Sequence, residues 1–241
     1  MKRAAAIIPA RYDSTRFPGK PLAPILGKPM IQWVYEGVRE ARLVDRVIIA
    51  TDDERIRHAA ESFGAETRLT SAAHGSGTER AAEVSQIIDN KIIVNVQGDE
   101  PLVTGSLVDR LVEALQDEAV PMASLMAKVH DVGLQVNPHI NKVITDKDGF
   151  ALYFSRAPIP YQASDFFYQH IGIYGYQRSA LLEFANLKPS RLERLERLEQ
   201  LRALENGWRI KMVEAPEPTL SVDVAGDIIK VEQLLKKRKH D

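Results

Sequence analysis

Short apolar runs alternate with amphipathic stretches through the first half of the chain. Residues 4–10 (Ala-Ala-Ala-Ile-Ile-Pro-Ala), 46–51 and 91–96 are compact and apolar, as strands buried on both faces are. Residues 66–69 read as a further short strand. Between them, residues 29–42, a stretch from Asp52 through about Ser62, and residues 79–88 carry apolar side chains at helical spacing. Pro29 suits a first helical turn, and Asp52 can cap the second helix. Strand–helix alternation at these lengths predicts right-handed βαβ units, and therefore an α/β fold with a mainly parallel, Rossmann-like sheet flanked by helices.

After a helix over 104–118 and a candidate strand over 121–127, the pattern changes. Residues 141–145, a turn at Asp148-Gly149 and residues 151–156 read as a hairpin, and 170–176 as another strand. This predicts a small antiparallel lobe, about residues 140–177, within a single domain spanning 1–241. Residues 192–205 read as one helix ended by Asn206-Gly207. Its leucines recur every third residue, so they sweep a wide arc, and Glu199 falls on that arc between Leu192 and Leu195. A buried acid there needs a partner: a ligand hydroxyl, or Arg202 one turn on. A last helix follows Asp227.

Candidate chemistry gathers where the apolar runs end. Arg11, Arg16 and Lys20 share the loop after the first run, which closes at Pro18-Gly19. Three cations on one loop suit a polyphosphate, although charge alone also allows a solvated basic loop. Neither glycine-rich phosphate pattern is present, so side chains would do most of the gripping. In His74-Gly75-Ser76-Gly77-Thr78-Glu79-Arg80, two glycines permit close backbone approach, or a plain turn with Thr78 as helix cap. Asp99 follows a buried strand, at the position where an open α/β sheet has its ligand crevice, and offers a hard oxygen for Mg²⁺.

Several separated blocks resemble the sugar-acid cytidylyltransferase family. They are Ile8-Pro9-Ala10-Arg11, Ser14 to Leu22, Gly27 to Ile31, Ser76 to Arg80, Gln97-Gly98-Asp99-Glu100-Pro101, Leu152 to Arg156, His170 to Tyr174, Leu198 to Arg202, and Val222-Asp223. The resemblance implies a nucleotidyltransferase sheet whose antiparallel lobe serves the sugar acid and dimer contact. It implies nucleotide binding by Ala10, Arg11, Ser14, Arg16, Lys20, Ser76, Gly77, Thr78, Arg80 and Gln97. Arg11, Arg16, Lys20 and Asp99 would act on the triphosphate, and Asp99 with Asp223 would hold Mg²⁺. Arg156, His170, Tyr174, Glu199 and Gln200 would hold the sugar acid.

The implied reaction moves CMP from CTP to a sugar acid of the 3-deoxy-manno-octulosonate (Kdo) type, for lipopolysaccharide synthesis. The 8-amino-8-deoxy analogue, a sialic acid or a non-catalytic nucleotide-binding role stay open. Two departures stand out: Gly75 replaces a common Gln, and Val224-Ala225-Gly226 replaces a Thr-Pro-Glu helix start.

Composition narrows the remaining classes. In 241 residues, 32 Lys and Arg balance 33 Asp and Glu, which argues against general nucleic-acid binding. The absence of cysteine excludes disulfides, thiolate nucleophiles and cysteine metal sites, and fits a cytoplasmic protein. The first apolar run meets Arg11 too soon for a signal peptide, and no stretch approaches the length of a membrane span. The expected assembly is a homodimer joined near 151–154 and 171–176.

Overall fold

The first apolar run forms β1 (Ala4–Ala10), buried along its whole length. The computed structural model describes residues 4–13 and 17–238. The described chain next forms a short 3₁₀ turn at Lys20–Leu22 and a two-residue hairpin, β2 (Pro24–Ile25) and β3 (Lys28–Pro29). There follow α1 (Met30–Arg39), β4 (Val44–Thr51), α2 (Glu54–Ser62), β5 (Glu66–Leu69), α3 (Gly77–Ser85) and β6 (Ile92–Asn95). After α4 (Gly105–Ala114) come β7 (Met122–Val129), β8 (Lys142–Thr145), β9 (Ala151–Ser155) and β10 (Phe167–Gln177). The last elements are α5 (Arg178–Asn186), α6 (Arg191–Glu196), α7 (Leu201–Glu205), β11 (Ile210–Glu214) and α8 (Asp227–Arg238).

These elements divide into two compact units, one of residues 4–109 with 219–238 and one of residues 110–218. In the first unit β1 pairs in parallel with β4 on one side and β6 on the other, and β4 pairs in parallel with β5. The order β6-β1-β4-β5 means that the chain builds outward from β1 and then returns to its opposite edge. The β1/β6 boundary is therefore a topological switch point, and the carboxyl ends of those two strands flank a crevice. The C-terminal segment completes this unit. Val222, Val231 and Leu235 pack with Ile25, Met30 and Leu102 in one apolar cluster.

In the second unit β10 pairs antiparallel with β7 and β8, and β8 with β9, while β11 adds to β7 in parallel. The expected hairpin and strand are present here. The strand β11 and helix α5 had not been read from the sequence. Their signals were short: buried Ile210 and Met212 alternate along β11, and Ala180, Leu181 and Phe184 line one face of α5.

Three local expectations change. The cap of α2 is Asp53, whose Oδ1 accepts from Arg55 N at 2.9 Å, because Asp52 is drawn to Arg80 at 3.1 Å. The helix α3 starts two residues earlier than a Thr78 cap requires, so Ser76 caps it by accepting from Glu79 N. The single helix over 192–205 is broken: Arg197 adopts φ 54°, and the chain resumes as α7. A continuous helix would carry its every-third-residue leucines around most of its circumference. The break buries Leu198 and Leu201 and leaves Leu195 in solvent. Glu199 therefore does not stand between Leu192 and Leu195 on one arc; it lies in the turn before α7, 3.7 Å from Arg202.

Candidate active site

The carboxyl end of β1 leads through Pro9, Ala10 and Arg11 into an open cleft of about 200 Å³. The opposite wall comes from Gln97, Gly98 and Asp99, just beyond β6. The start of α3 contributes Ser76, Gly77 and Arg80, and the turn at Lys20 closes the rim. Of the residues implied for the nucleotide, Ala10, Arg11, Lys20, Ser76, Gly77, Arg80 and Gln97 thus line one cleft. Ser14 and Arg16 lie outside the described residues. Thr78 is not on the lining; it is buried, and its hydroxyl accepts from Asn95 Nδ2 at 3.3 Å. His74 also lines the cleft, its Nε2 paired with Glu83, and was not singled out from the sequence. Its only signal was its place directly before the two-glycine segment.

Backbone conformation sets both rims. Gly19 holds φ 71°, and a Cβ there would come within 3.1 Å of the Tyr12 ring, so glycine permits the turn that presents Lys20. At Gly77 a Cβ would stand 2.8 Å from Gln97 Oε1 and 2.9 Å from Pro9 Cγ. Gly77→Ala must therefore push Gln97 out of place. We expect the KM for CTP, the nucleotide that the resemblance implies, to rise about tenfold, equivalent to roughly 1.4 kcal/mol, with the fold retained. Initial-rate kinetics alongside circular dichroism check this.

Asp99 and Lys20 meet inside the cleft, with Lys20 Nζ 2.5 Å from Asp99 Oδ2 and 2.9 Å from the Val222 carbonyl. The Val222 amide in turn donates to the Asp99 carbonyl at 2.9 Å. Burial of Val222 beside Leu102 thus holds the backbone just before Asp223 against that of Asp99, although the two are far apart in sequence. The missing Thr-Pro start does not loosen this turn. Asp227 Oδ2 accepts from the amides of Asp223 and Val224, both at 3.1 Å. Glu100 differs from its neighbour. It is buried, and burial with the nearby Asp99 charge pushes its carboxyl up to about 8, so it is neutral near pH 7.

The residues implied for the sugar acid lie in the second unit, where His170, Tyr174 and Gln200 form a buried chain. Tyr174 OH donates to Gln200 Oε1 at 3.1 Å, and Gln200 Nε2 lies 3.4 Å from His170 Nδ1. His170 Nε2 lies 2.8 Å from Ser124 Oγ, which donates to the Ile173 carbonyl at 2.9 Å. Since the serine hydrogen goes to that carbonyl, the network assigns the imidazole proton to Nε2. Arg156 is held by the carbonyls of Glu196 and Pro138, at 2.8 and 2.9 Å.

Burial pulls His170 down to about 3, so the folded chain keeps it neutral. Below pH 6.5 the unfolded chain binds a proton that the folded chain refuses until about pH 3. This contribution to stability is complete above pH 6.5 and falls by about 1.4 kcal/mol per pH unit below it. We expect His170→Gln to flatten the fall in stability between pH 6.5 and 5 by about 2 kcal/mol, read from urea unfolding at each pH.

Among the described residues no cluster of three or more His, Cys, Asp or Glu could hold a metal ion, and no helix is long and apolar enough to cross a membrane. A site built from Asp99 and Asp223 would leave coordination positions for phosphate oxygens and water, as Mg²⁺ prefers.

A family model described as cytidylyltransferase matches residues 5–212. The 3-deoxy-manno-octulosonate cytidylyltransferase of Syntrophotalea carbinolica is 50% identical over 96% of this chain and 98% of its own. The Haemophilus influenzae protein of the same name is 49% identical, over 95% of this chain and 97% of its own. A solved CMP:2-keto-3-deoxy-manno-octonic acid synthetase complexed with CTP superposes with a TM-score of 0.93 at 38% identity, covering 98% of this chain and 99% of that one. A 4-diphosphocytidyl-2C-methyl-D-erythritol synthase from Anaerococcus prevotii shares the fold, with a TM-score of 0.66 at 14% identity. With this cleft at its switch point and this similarity along nearly its whole length, the chain belongs to the cytidylyltransferase family, among the 3-deoxy-manno-octulosonate cytidylyltransferases.

Proposed function

We propose that this chain transfers CMP from CTP to the anomeric hydroxyl of Kdo. The observation that carries this reading is the cleft in which Arg11, Lys20 and Asp99 meet, in a chain so similar to Kdo cytidylyltransferases. The C2 oxygen attacks the α-phosphorus and gives up its proton. The bond from that phosphorus to the bridging oxygen breaks, and pyrophosphate leaves with the electron pair. Arg11 and Lys20 offset charge on the triphosphate, and the backbone at Ser76 and Gly77 lets the nucleotide approach closely. Asp99 already holds one cation, the Lys20 ammonium, which supports a cation site at this carboxylate. Asp99 and Asp223 would hold Mg²⁺, which supplies charge neutralisation on the phosphates. Arg156, His170, Tyr174, Glu199 and Gln200 form the proposed sugar-acid wall. The protein with CTP, Mg²⁺ and, in turn, Kdo, 8-amino-8-deoxy-Kdo and N-acetylneuraminate is assayed for pyrophosphate. Release with Kdo is expected; release with N-acetylneuraminate alone refutes the reading.

The same reading includes one nucleotidyltransferase domain working in the cytoplasm as a homodimer. The apolar run 171–176 no longer supports that assembly, because Ile171, Ile173, Tyr174 and Tyr176 are all buried within the chain. The support narrows to β9, which among the described residues pairs only with β8 and exposes Leu152. Light scattering at micromolar concentration distinguishes dimer from monomer.

A further inference from the structure

We infer that Asn141 is a specificity-determining contact of the sugar-acid site, reading a hydroxyl of the substrate through its side-chain amide. This rests on the sugar-acid reading of Arg156 and His170.

The strand register places the residue. Lys142 stands opposite Ser155 on β9 and opposite Gln169 on β10. One step back along β8, Asn141 falls opposite Arg156 on one side and His170 on the other. The His170 amide confirms the second pairing by donating to the Asn141 carbonyl at 2.8 Å. Directly opposed residues in antiparallel strands put their side chains on the same face, with Cβ atoms about 4.5–5.5 Å apart. Arg156, Asn141 and His170 therefore form one cross-strand row. Phe154, two residues before Arg156, belongs to that face and packs edge-on against the His170 ring at 4.9 Å.

The amide itself points to a ligand. Asn141 Oδ1 is buried and meets no hydrogen-bond donor among the described residues. Its neighbours in the row bond other groups of the chain, His170 to Ser124 and Gln200, and Arg156 to the backbone carbonyls of Glu196, Pro138 and Arg197, with guanidinium hydrogens to spare. A buried carbonyl left without a donor is costly, and since the described residues supply none, a bound substrate is the donor we assign. The group also selects the donor. An uncharged amide both accepts and donates, which matches a hydroxyl that both donates and accepts. The carboxylate of the same substrate is better served by the guanidinium next in the row.

The test compares the parent protein with Asn141→Leu, which keeps the branched four-atom side chain and removes the amide, and with Asn141→Ser, a milder change. Pyrophosphate release is followed with Kdo varied at saturating CTP, and then with CTP varied at saturating Kdo. Expected is a KM for Kdo raised about tenfold or more in Asn141→Leu and less in Asn141→Ser, with the KM for CTP within about twofold of the parent. Singly deoxygenated Kdo analogues add a second readout: on the analogue lacking the hydroxyl that Asn141 meets, parent and variant should converge. A KM for Kdo within twofold of the parent in both variants overturns the inference. So does an equal rise in both KM values, or a lower thermal midpoint with an unchanged KM for Kdo. A parent that releases pyrophosphate with Kdo while the variants match it overturns only the role of Asn141. A parent inactive with every sugar acid overturns the acceptor reading as well.

Discussion

Replacing Asp99 by Asn is expected to lower kcat about a hundred- to a thousandfold, a loss of roughly 3–4 kcal/mol of transition-state stabilisation. The substitution keeps the shape of the side chain and removes its charge. It leaves the fold intact because the backbone carbonyl of this residue accepts from the Val222 amide whatever the side chain is. What is lost is the partner of the Lys20 ammonium and one of two carboxylates proposed for Mg²⁺. Asp223→Asn should act in the same direction and more mildly. If the two carboxylates serve one ion, their effects will not add. Steady-state pyrophosphate release at limiting Mg²⁺, with a thermal melt as control, checks both. Near-native turnover in the two variants would place the metal elsewhere.

Lys142→Met is expected to give the largest loss of stability. Lys142 is fully buried, and Nζ donates to the carbonyls of Asn137, Ile140 and Arg156 at 3.1, 2.7 and 2.5 Å. Burial and the neighbouring Arg156 hold this ammonium below the usual lysine range. Methionine fills most of the space but supplies no donor, so three carbonyls lose their shared partner. The cost should be about 2–5 kcal/mol, which for a chain of this size lowers the apparent thermal midpoint by roughly 5–15 °C. The same ammonium ties Asn137 and Ile140 to Arg156, just beyond β9. The KM for the sugar acid should therefore rise, while the KM for CTP, whose cleft residues lie in the other unit, should not. Differential scanning calorimetry and the two KM values check this; an unchanged midpoint would show that water replaces the ammonium without penalty.

Much of the candidate cleft is legible in the sequence itself. The run 4–10 reads as a strand covered on both faces because every position in it is apolar, and the chain direction then puts Arg11 at its carboxyl end. The same logic places Asp99 just beyond β6, and Pro18-Gly19 marks the turn that presents Lys20. These are local statements, for which periodicity and turn chemistry suffice. Long-range pairings escaped them. Asp52 and Asp53 are equivalent as helix caps until Arg80 claims one of them. Residues 192–205 look like one helix because local propensity favours it; the break at Arg197 follows from the need to bury Leu198 and Leu201 together, which only the packed unit imposes. Nothing about Asn141 in the linear sequence distinguishes it from a polar residue at a strand entrance. It gains significance only through register, when closure of the β9-β8-β10 ladder sets it between Arg156 and His170 and leaves its carbonyl without a donor among the described residues. Periodicity along one element tells which side chains share a face, whereas what that face meets depends on how distant segments close upon one another.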